Sequence, residues 1–174
     1  MRAVFLITGP SGSGKTTAGR LLAERFPRAV HVEGDVFRRS VVSGRAEMTP
    51  DPSADALEQL HLRYRLAAGA ADAYFEAGFT VVLEDVIAGE ALTAMVQLVE
   101  SRPLHVIVLL PTIEAVRLRD EARKKTGYAY WRLEDLYAGF AESTPRLGIW
   151  LDSTNQTPAD IVDEILTLTR AASG

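Results

Sequence analysis

One segment near the N-terminus, residues 9–16, constrains the fold more than any other part of the sequence. It reads Gly-Pro-Ser-Gly-Ser-Gly-Lys-Thr, which matches the phosphate-loop pattern of a glycine, four residues and then Gly-Lys-Ser/Thr. An apolar run, residues 3–8, comes directly before it. Because such a loop works between a strand and the N-terminus of a helix, the motif predicts a strand, a phosphate-binding turn and a helix in that order.

The residue types of this loop each have a chemical reason. Glycines let the backbone curl so that successive N–H groups point at phosphate oxygens, and the helix that follows adds its positive dipole end. We expect the amine of Lys15 to reach the β- and γ-phosphates and the hydroxyl of Thr16 to bind Mg²⁺. The sequence therefore predicts an ATP site formed by Gly9, Ser11, Gly12, Ser13, Gly14, Lys15, Thr16 and Thr17.

The rest of the chain alternates between apolar runs and amphipathic segments. Runs rich in Val, Ile and Leu predict strands, and none of them alternates cleanly between apolar and polar residues: 3–8, 29–33, 79–84, 104–110 and 147–151. Continuous apolar runs are typical of strands covered by helices on both faces. We therefore expect an α/β fold with a parallel sheet between layers of helices.

Two of the intervening segments carry helix signals. In residues 54–77 apolar residues recur at spacings of three and four, and Gly78 follows as a C-terminal stop. The predicted apolar stripe comprises Leu57, Leu60, Tyr64, Ala67, Ala71 and Tyr74. Near the other end of the chain, Thr157 and Pro158 supply a cap and a first-position proline, with Asp160 in the first turn. A second helix is expected to start there.

Two polar segments break the regular pattern. Residues 40–53 and 126–130 contain turn-forming residues, and we interpret both as loops that cover a site. Neither has the length or composition of a linker between domains. The 174 residues therefore predict a single domain, residues 1–174, with a short lid near residues 124–131.

Acidic residues follow two of the predicted strands. Asp35 comes shortly after the second strand, and Glu84 and Asp85 close the third. The carboxyl ends of parallel strands share one edge of the sheet, and the phosphate loop lies at the same edge. Asp35 is predicted to accept the proton of an attacking hydroxyl, with helix capping as its alternative role. Either acid of the pair could serve Mg²⁺ or be structural, and we assign Asp85, together with Thr16, to the metal site.

Two arginines, Arg119 and Arg123, share a helix face because they lie four residues apart. Arg123 has Asp120 three residues before it, whereas Arg119 has no acidic residue at its helical neighbour positions. An arginine without such a partner suits transferring phosphates or an adenine ring, and an ordinary exposed arginine is the alternative. We predict both arginines as catalytic, together with Lys15 and Asp35.

Charge and composition narrow the choice of partners. The net charge of −4 argues against a nucleic-acid partner, because such partners are attracted by a positive field. The chain has no cysteine, which excludes disulfides, cysteine zinc sites and thiol nucleophiles. The first apolar run is too short for a membrane span or a signal sequence. We expect a cytoplasmic monomer or homodimer without a membrane contact.

Together these residues resemble the small P-loop kinase families that include gluconokinase, adenylylsulfate kinase and chloramphenicol phosphotransferase. Residues 32–35, Val-Glu-Gly-Asp, resemble the strand-end aspartate of those enzymes. Residues 81–86, Val-Val-Leu-Glu-Asp-Val, resemble the acidic strand end of the chloramphenicol enzyme. The resemblance implies a three-layer fold whose five-stranded parallel sheet has the order 2-3-1-4-5.

The resemblance also implies an activity and the residues that perform it. It implies transfer of the γ-phosphate of MgATP to a hydroxyl of a small molecule, with Asp35 as the general base. A lid would carry Arg119 and Arg123, and an adenine pocket would lie near residues 152–157. Two alternatives stay open: a nucleoside, nucleotide or polynucleotide kinase, and a nucleotide-dependent switch that needs no acceptor.

Overall fold

The computed structural model describes residues 2–122 and 130–171, in which five strands and seven helices are found. The strands are β1 (Val4–Thr8), β2 (Ala29–Glu33), β3 (Thr80–Glu84), β4 (Leu104–Leu109) and β5 (Ile149–Leu151). The helices are α1 (Lys15–Glu24), α2 (Gly34–Arg39), α3 (Ala54–Glu76), α4 (Glu90–Leu98), α5 (Ile113–Glu121), α6 (Leu133–Ala141) and α7 (Pro158–Ala171).

All neighbouring strands pair in parallel, and their order across the sheet is β2-β3-β1-β4-β5. This confirms the predicted α/β fold and strand order, and each predicted strand is found. The largest difference is at β5, which begins at Ile149. The preceding backbone is in a turn, because the N–H of Leu147 donates to the carbonyl of Pro145 at 2.8 Å.

The sheet separates two apolar layers. Side chains alternate along a strand, so Phe5 and Ile7 of β1 pack with α1 and α7, whereas Val4 and Leu6 pack on the opposite face with α3 and α4. Every residue of β1 is buried, as expected for a central strand covered on both sides. Within the described residues, no helix has the length and apolarity needed to cross a membrane.

The apolar face of α3 differs in part from the predicted stripe. Tyr64, Ala67 and Ala71 are buried as expected, but Leu57 and Tyr74 are 39% and 45% exposed. The buried positions near the two ends are Ala56 and Phe75 instead. Over a helix of 23 residues, a stripe drawn through the most apolar residues drifts away from the line that faces the sheet.

The predicted signals at helix ends are confirmed at both places. Gly78 follows α3 with a φ of 90°, and the N–H of the next residue, Phe79, donates back to the carbonyl of Tyr74 at 3.1 Å. At the start of α7, Thr157 and Asp160 exchange side-chain and backbone hydrogen bonds in a capping arrangement. The predicted loop at residues 40–53 contains no helix or strand before residue 54.

Candidate functional site

The phosphate loop joins β1 to α1 at the carboxyl edge of the sheet, as predicted. Its first residue, Gly9, has a φ of 150°, and a Cβ atom there would lie 2.2 Å from the carbonyl oxygen of Leu109. Only glycine fits between the loop and β4 at this point. The turn is closed by a hydrogen bond of 3.1 Å from the N–H of Ser13 to the carbonyl of Pro10.

The N-terminus of α1 is built to receive an anion. Its N-cap, Gly14, provides no side-chain hydrogen bond, and its first turn contains no acidic residue. A helix start without a capping side chain leaves its backbone dipole to a ligand. The amine of Lys15 donates to the carbonyl of Pro10 at 3.0 Å, so the lysine lies folded along the loop. Thr16 and Thr17 follow as exposed residues of the same turn.

The hydroxyl of Thr16 donates to Glu84 Oε1 at 2.8 Å. Glu84 is the last residue of β3 and is 6% exposed. The structure therefore brings the predicted metal-binding hydroxyl together with Glu84. Asp85, the acid predicted for the metal site, pairs instead with Arg63 of α3. Successive residues along a strand point to opposite faces of the sheet, so Asp85 faces α3 whereas Glu84 faces the helix that carries Thr16.

Asp85 and Arg63 form a buried ion pair. Arg63 Nε donates to Asp85 Oδ2 at 2.7 Å, and Arg63 Nη2 donates to the other oxygen. The N–H of Val86 donates to Asp85 Oδ1 at 2.7 Å. Burial raises the pKa of the Asp85 carboxyl, and the guanidinium and the N–H act against this by stabilising the carboxylate. Gly34 lies against the pair, since a Cβ there would be 2.0 Å from Asp85 Oδ2.

Asp35 lies in the first turn of α2 and does not cap the helix, because the N-cap is Glu33. Its carboxylate receives a hydrogen bond of 2.8 Å from Arg38 Nε and lies 3.5 Å from Arg39 Nη1 and 3.9 Å from Arg63 Nη1. Partial burial opposes ionisation, but the hydrogen bond from Arg38 and the three positive charges together lower the pKa of Asp35. The group is therefore a carboxylate at neutral pH.

The loop of residues 40–53 is tied to the same cluster. Arg38 Nη1 donates to both oxygens of Glu47, at 2.9 and 2.8 Å, and Arg45 Nε lies 2.9 Å from the same carboxylate. On the other side, Trp131 Nε1 donates to the carbonyl of Met48 at 3.1 Å. These contacts hold the loop beside Asp35, and its covering of a site stays a prediction.

Arg119 connects α5 to the loop after β5. Its Nη2 donates to the carbonyls of Ser153 and Thr154 at 2.7 and 3.1 Å, and the hydroxyl of Ser153 donates to the carbonyl of Ser13 at 3.2 Å. The structure thus brings Arg119, the predicted adenine segment and the phosphate loop together. Arg123 lies outside the described residues, as does the predicted lid apart from residues 130 and 131.

Sequence reasoning missed the arginines that surround Asp35. Arg38 and Arg39 had a local signal, because they follow Asp35 by three and four residues on one short helix. Arg63 had none, since it is 22 residues from Asp85 and nothing in the periodicity of α3 indicates its partner. The pair becomes visible only when α3 packs against β3.

Comparison with known proteins gives a family match over most of the chain. A family model described as an AAA domain matches residues 4–136. Among curated proteins, the adenylate kinase of Sulfurovum sp. (strain NBC37-1) is 50% identical over 46 residues. That alignment covers 25% of this chain and 23% of the adenylate kinase, so the match spans less than a quarter of the relative's length.

Solved structures agree with the fold over nearly the whole chain. A sugar kinase from Janibacter sp. HTCC2649 is 22% identical with a TM-score of 0.69, and the match covers 96% of this chain and 94% of that one. The APS kinase of Mycobacterium tuberculosis in complex with AMPPNP and APS is 16% identical with a TM-score of 0.68, covering 97% and 98%. At these identities the likeness establishes a P-loop kinase fold.

Proposed function

The chain belongs to the AAA-domain family, and from this premise we propose that it is a phosphotransferase moving the γ-phosphate of MgATP to a hydroxyl of a small molecule. One observation carries the proposal: the hydroxyl of Thr16 meets the buried carboxylate of Glu84 at 2.8 Å, at the sheet edge where Asp35 also lies. A nucleotide loop, an acid for the metal and an acid for the acceptor are thereby gathered at one edge.

The nucleotide part rests on the phosphate loop. The α1 N-terminus lacks both a capping side chain and an acidic residue, and this suits the triphosphate of ATP. Lys15 would leave the carbonyl of Pro10 to balance the charge of the β- and γ-phosphates. The APS kinase of the same fold, in complex with AMPPNP, supports ATP as the nucleotide.

The metal part rests on Thr16 and Glu84, whose oxygens are close and partly buried. These residues fit Mg²⁺, because this ion takes few protein ligands and keeps several waters that a nearby carboxylate can hold. Thr16 and Glu84 would hold the ion, which would supply positive charge to offset that of the phosphate groups. We propose Glu84 for this role in place of Asp85, whose carboxylate is bound to Arg63.

The acceptor part rests on Asp35. Its lowered pKa keeps the carboxylate charged, so it is a strong hydrogen-bond acceptor and a weak base. Phosphoryl transfer through a loose transition state needs the hydroxyl to be oriented in line, and its proton can leave late. We propose that Asp35 orients the hydroxyl and then receives its proton. Arg119, through the loop at Ser153 and Thr154, would position the adenine side of the nucleotide.

The test is ADP formation from MgATP across a panel of sugars, sugar acids, hydroxyl-bearing antibiotics, nucleosides and nucleotides. A kinase shows turnover that one acceptor class stimulates, and Asp35→Asn should lower that turnover by about 10²- to 10⁴-fold while the Kd for MgATP stays unchanged. If no acceptor stimulates ADP formation by the wild-type protein, the proposal is contradicted and a nucleotide-dependent switch is favoured. Near-normal turnover in Asp35→Asn contradicts the role of Asp35.

A nucleotide acceptor is the second candidate, favoured by the local similarity to an adenylate kinase. The arginines that face Asp35 and Glu47 would suit a phosphate on such an acceptor. Stimulation by nucleoside monophosphates, without stimulation by sugars or antibiotics, would decide for this candidate. The same panel therefore separates the two.

A further inference from the structure

Besides its bonds to Asp85, Arg63 makes an additional contact with Asp35. The side chains of the two residues are 13% and 1% exposed, so the pair is held in the interior. Arg63 uses Nε and Nη2 on Asp85. Its remaining nitrogen, Nη1, lies 3.9 Å from Asp35 Oδ1. The guanidinium is therefore shared between a buried acid of the sheet and the proposed catalytic acid.

The position of this contact in the fold gives it a specific consequence. Arg38 and Arg39 lie on α2 with Asp35, so they move with Asp35 and cannot fix it relative to the phosphate loop. Arg63 belongs to α3, and Asp85 follows directly from β3. Among the ion pairs of Asp35 within the described residues, those with Arg38 and Arg39 stay inside α2, and the one with Arg63 connects Asp35 to α3.

On the sheet side, Asp85 is held by several further contacts. Asp85 is hydrogen-bonded through its backbone N–H to the carbonyl of Ile7 at 3.2 Å, just before the phosphate loop. Its carboxylate also receives the N–H of Val86, and the residue packs against Gly34 at the start of α2. A chain of direct contacts therefore runs from β1 through Asp85 and Arg63 to Asp35.

We propose that Arg63 is a positioning residue: clamped on Asp85, it fixes the carboxylate of Asp35 relative to the phosphate loop so that the acceptor hydroxyl is aligned with the γ-phosphate. The inference rests on the proposed role of Asp35. A planar guanidinium suits this task because its donors have fixed directions, and one group can serve two carboxylates. The competing explanation is that the pair only stabilises the fold.

The two explanations separate in a variant that removes both charges. Removing one partner of a buried pair leaves an uncompensated charge and destabilises the protein, whereas removing both charges leaves no charge without its counterpart. We therefore compare Arg63→Gln/Asp85→Asn with the wild type by urea unfolding, by the Kd for MgATP and by acceptor-dependent kcat and KM. Arg65→Gln, an exposed arginine on the same helix, is the matched control.

If Arg63 positions Asp35, the double variant folds with a near-normal unfolding midpoint and binds MgATP normally, but kcat falls by about 10- to 100-fold. The control keeps the wild-type kcat. A second variant, Asp85→Asn, keeps the arginine and removes only its anchor, so it should also lower kcat without changing the Kd for MgATP. A double variant that turns over at the wild-type rate overturns the proposal.

A readout without turnover keeps the inference separate from the proposed function. The carboxyl carbon of Asp35 is titrated by NMR, with its signal identified by its absence in Asp35→Asn. The charged groups facing Asp35 are Arg38 and Arg39 of α2 and Arg63 of α3, with Glu47 behind Arg38 and Asp85 behind Arg63.

In the double variant the pKa of Asp35 should rise, because the closest charge from another helix is lost. An unchanged titration overturns the inference even if no acceptor is found. Absence of acceptor-dependent turnover in the wild type, with a clear shift in the titration, instead counts against the proposed function alone.

Discussion

Gly34→Ala tests how tightly the start of α2 is packed on the buried ion pair. Gly34 is buried, and a Cβ atom added there would meet Asp85 Oδ2 at 2.0 Å, Cγ at 2.5 Å and Cβ at 3.0 Å. The first two contacts are shorter than those that folded proteins show, and the third is tight. Since Arg63 and the N–H of Val86 hold the carboxylate, it cannot turn away without losing those bonds.

The loss of stability expected for Gly34→Ala depends on the displacement of the Asp85 carboxylate. Displacing Asp85 separates a buried ion pair, a change that costs about 3–5 kcal/mol when one partner is left alone. Alanine is a better helix residue than glycine by about 0.5–1 kcal/mol, and this offsets part of the loss. We expect Gly34→Ala to lower the free energy of unfolding by about 2–4 kcal/mol.

The assay is urea unfolding followed by circular dichroism, with Gly69→Ala as the matched control. Gly69 lies inside α3, is exposed, and has no atom within 4 Å of a Cβ position. The control should be stabilised by about 0.5–1 kcal/mol, since only the helix preference acts there. The contrast between two glycines in helices isolates the contact with Asp85.

A double-mutant cycle tests whether the contact with Asp85 causes the loss of stability. In an Asp85→Ala/Arg63→Gln background no carboxylate faces Gly34 and only the contact of 3.0 Å with the Cβ of residue 85 remains, so Gly34→Ala should cost much less stability than in the wild type. An equal loss of stability in both backgrounds would mean that the contact with Asp85 is not the cause. A loss below about 1 kcal/mol in the wild type would show that the carboxylate moves easily.

Two further predictions concern the acids of the site. Glu84→Gln keeps an oxygen for the hydroxyl of Thr16 but removes the charge, so the Mg²⁺ concentration for half-maximal activity should rise by about 10- to 100-fold. Glu90→Gln, at an exposed position, is the control and should leave this concentration unchanged. Equal Mg²⁺ dependence in the two variants contradicts the proposed role of Glu84. The hydrogen bond from Arg38 and the nearby arginine charges hold the folded-state pKa of Asp35 below its ordinary value of 3.8. Its ion pairs therefore contribute stability above that ordinary value and lose it as the pH falls through the folded-state pKa. The difference in unfolding free energy between wild type and Asp35→Asn should therefore be constant from pH 5 to 7, no larger than about 1 kcal/mol because these pairs are partly exposed, and smaller near pH 3; a difference that grows on acidification contradicts this.

The parts of the fold that the sequence predicts are those with local causes. The phosphate loop, the strands and the ends of α3 and α7 follow from residue types at fixed spacings, and the structure confirms them. The strand order came from the resemblance to known kinases, because no local pattern specifies which strands are neighbours. Helices α4 and α6 were not predicted.

The parts of the site that the sequence does not predict depend on long-range contacts. Arg119 has no acidic neighbour on its helix, which the sequence shows, but its partners are carbonyls 34 and 35 residues away. Arg63 depends on how α3 packs against β3. In both cases the residue type is visible in the sequence and the partner is not, because a guanidinium can pair wherever the fold brings an oxygen.

The choice between Glu84 and Asp85, by contrast, follows from an elementary rule. Successive residues of a strand face opposite sides of the sheet, and Val82 packs in the layer of α1, whereas Leu83 packs in the layer of α3. Glu84 therefore lies on the side of the helix that carries Thr16, and Asp85 on the side of α3, where it meets Arg63. Two adjacent acids at a strand end therefore face two different layers, and the alternation of side chains along the strand is the reason to propose Glu84, which shares a face with the helix of the phosphate loop, for the metal.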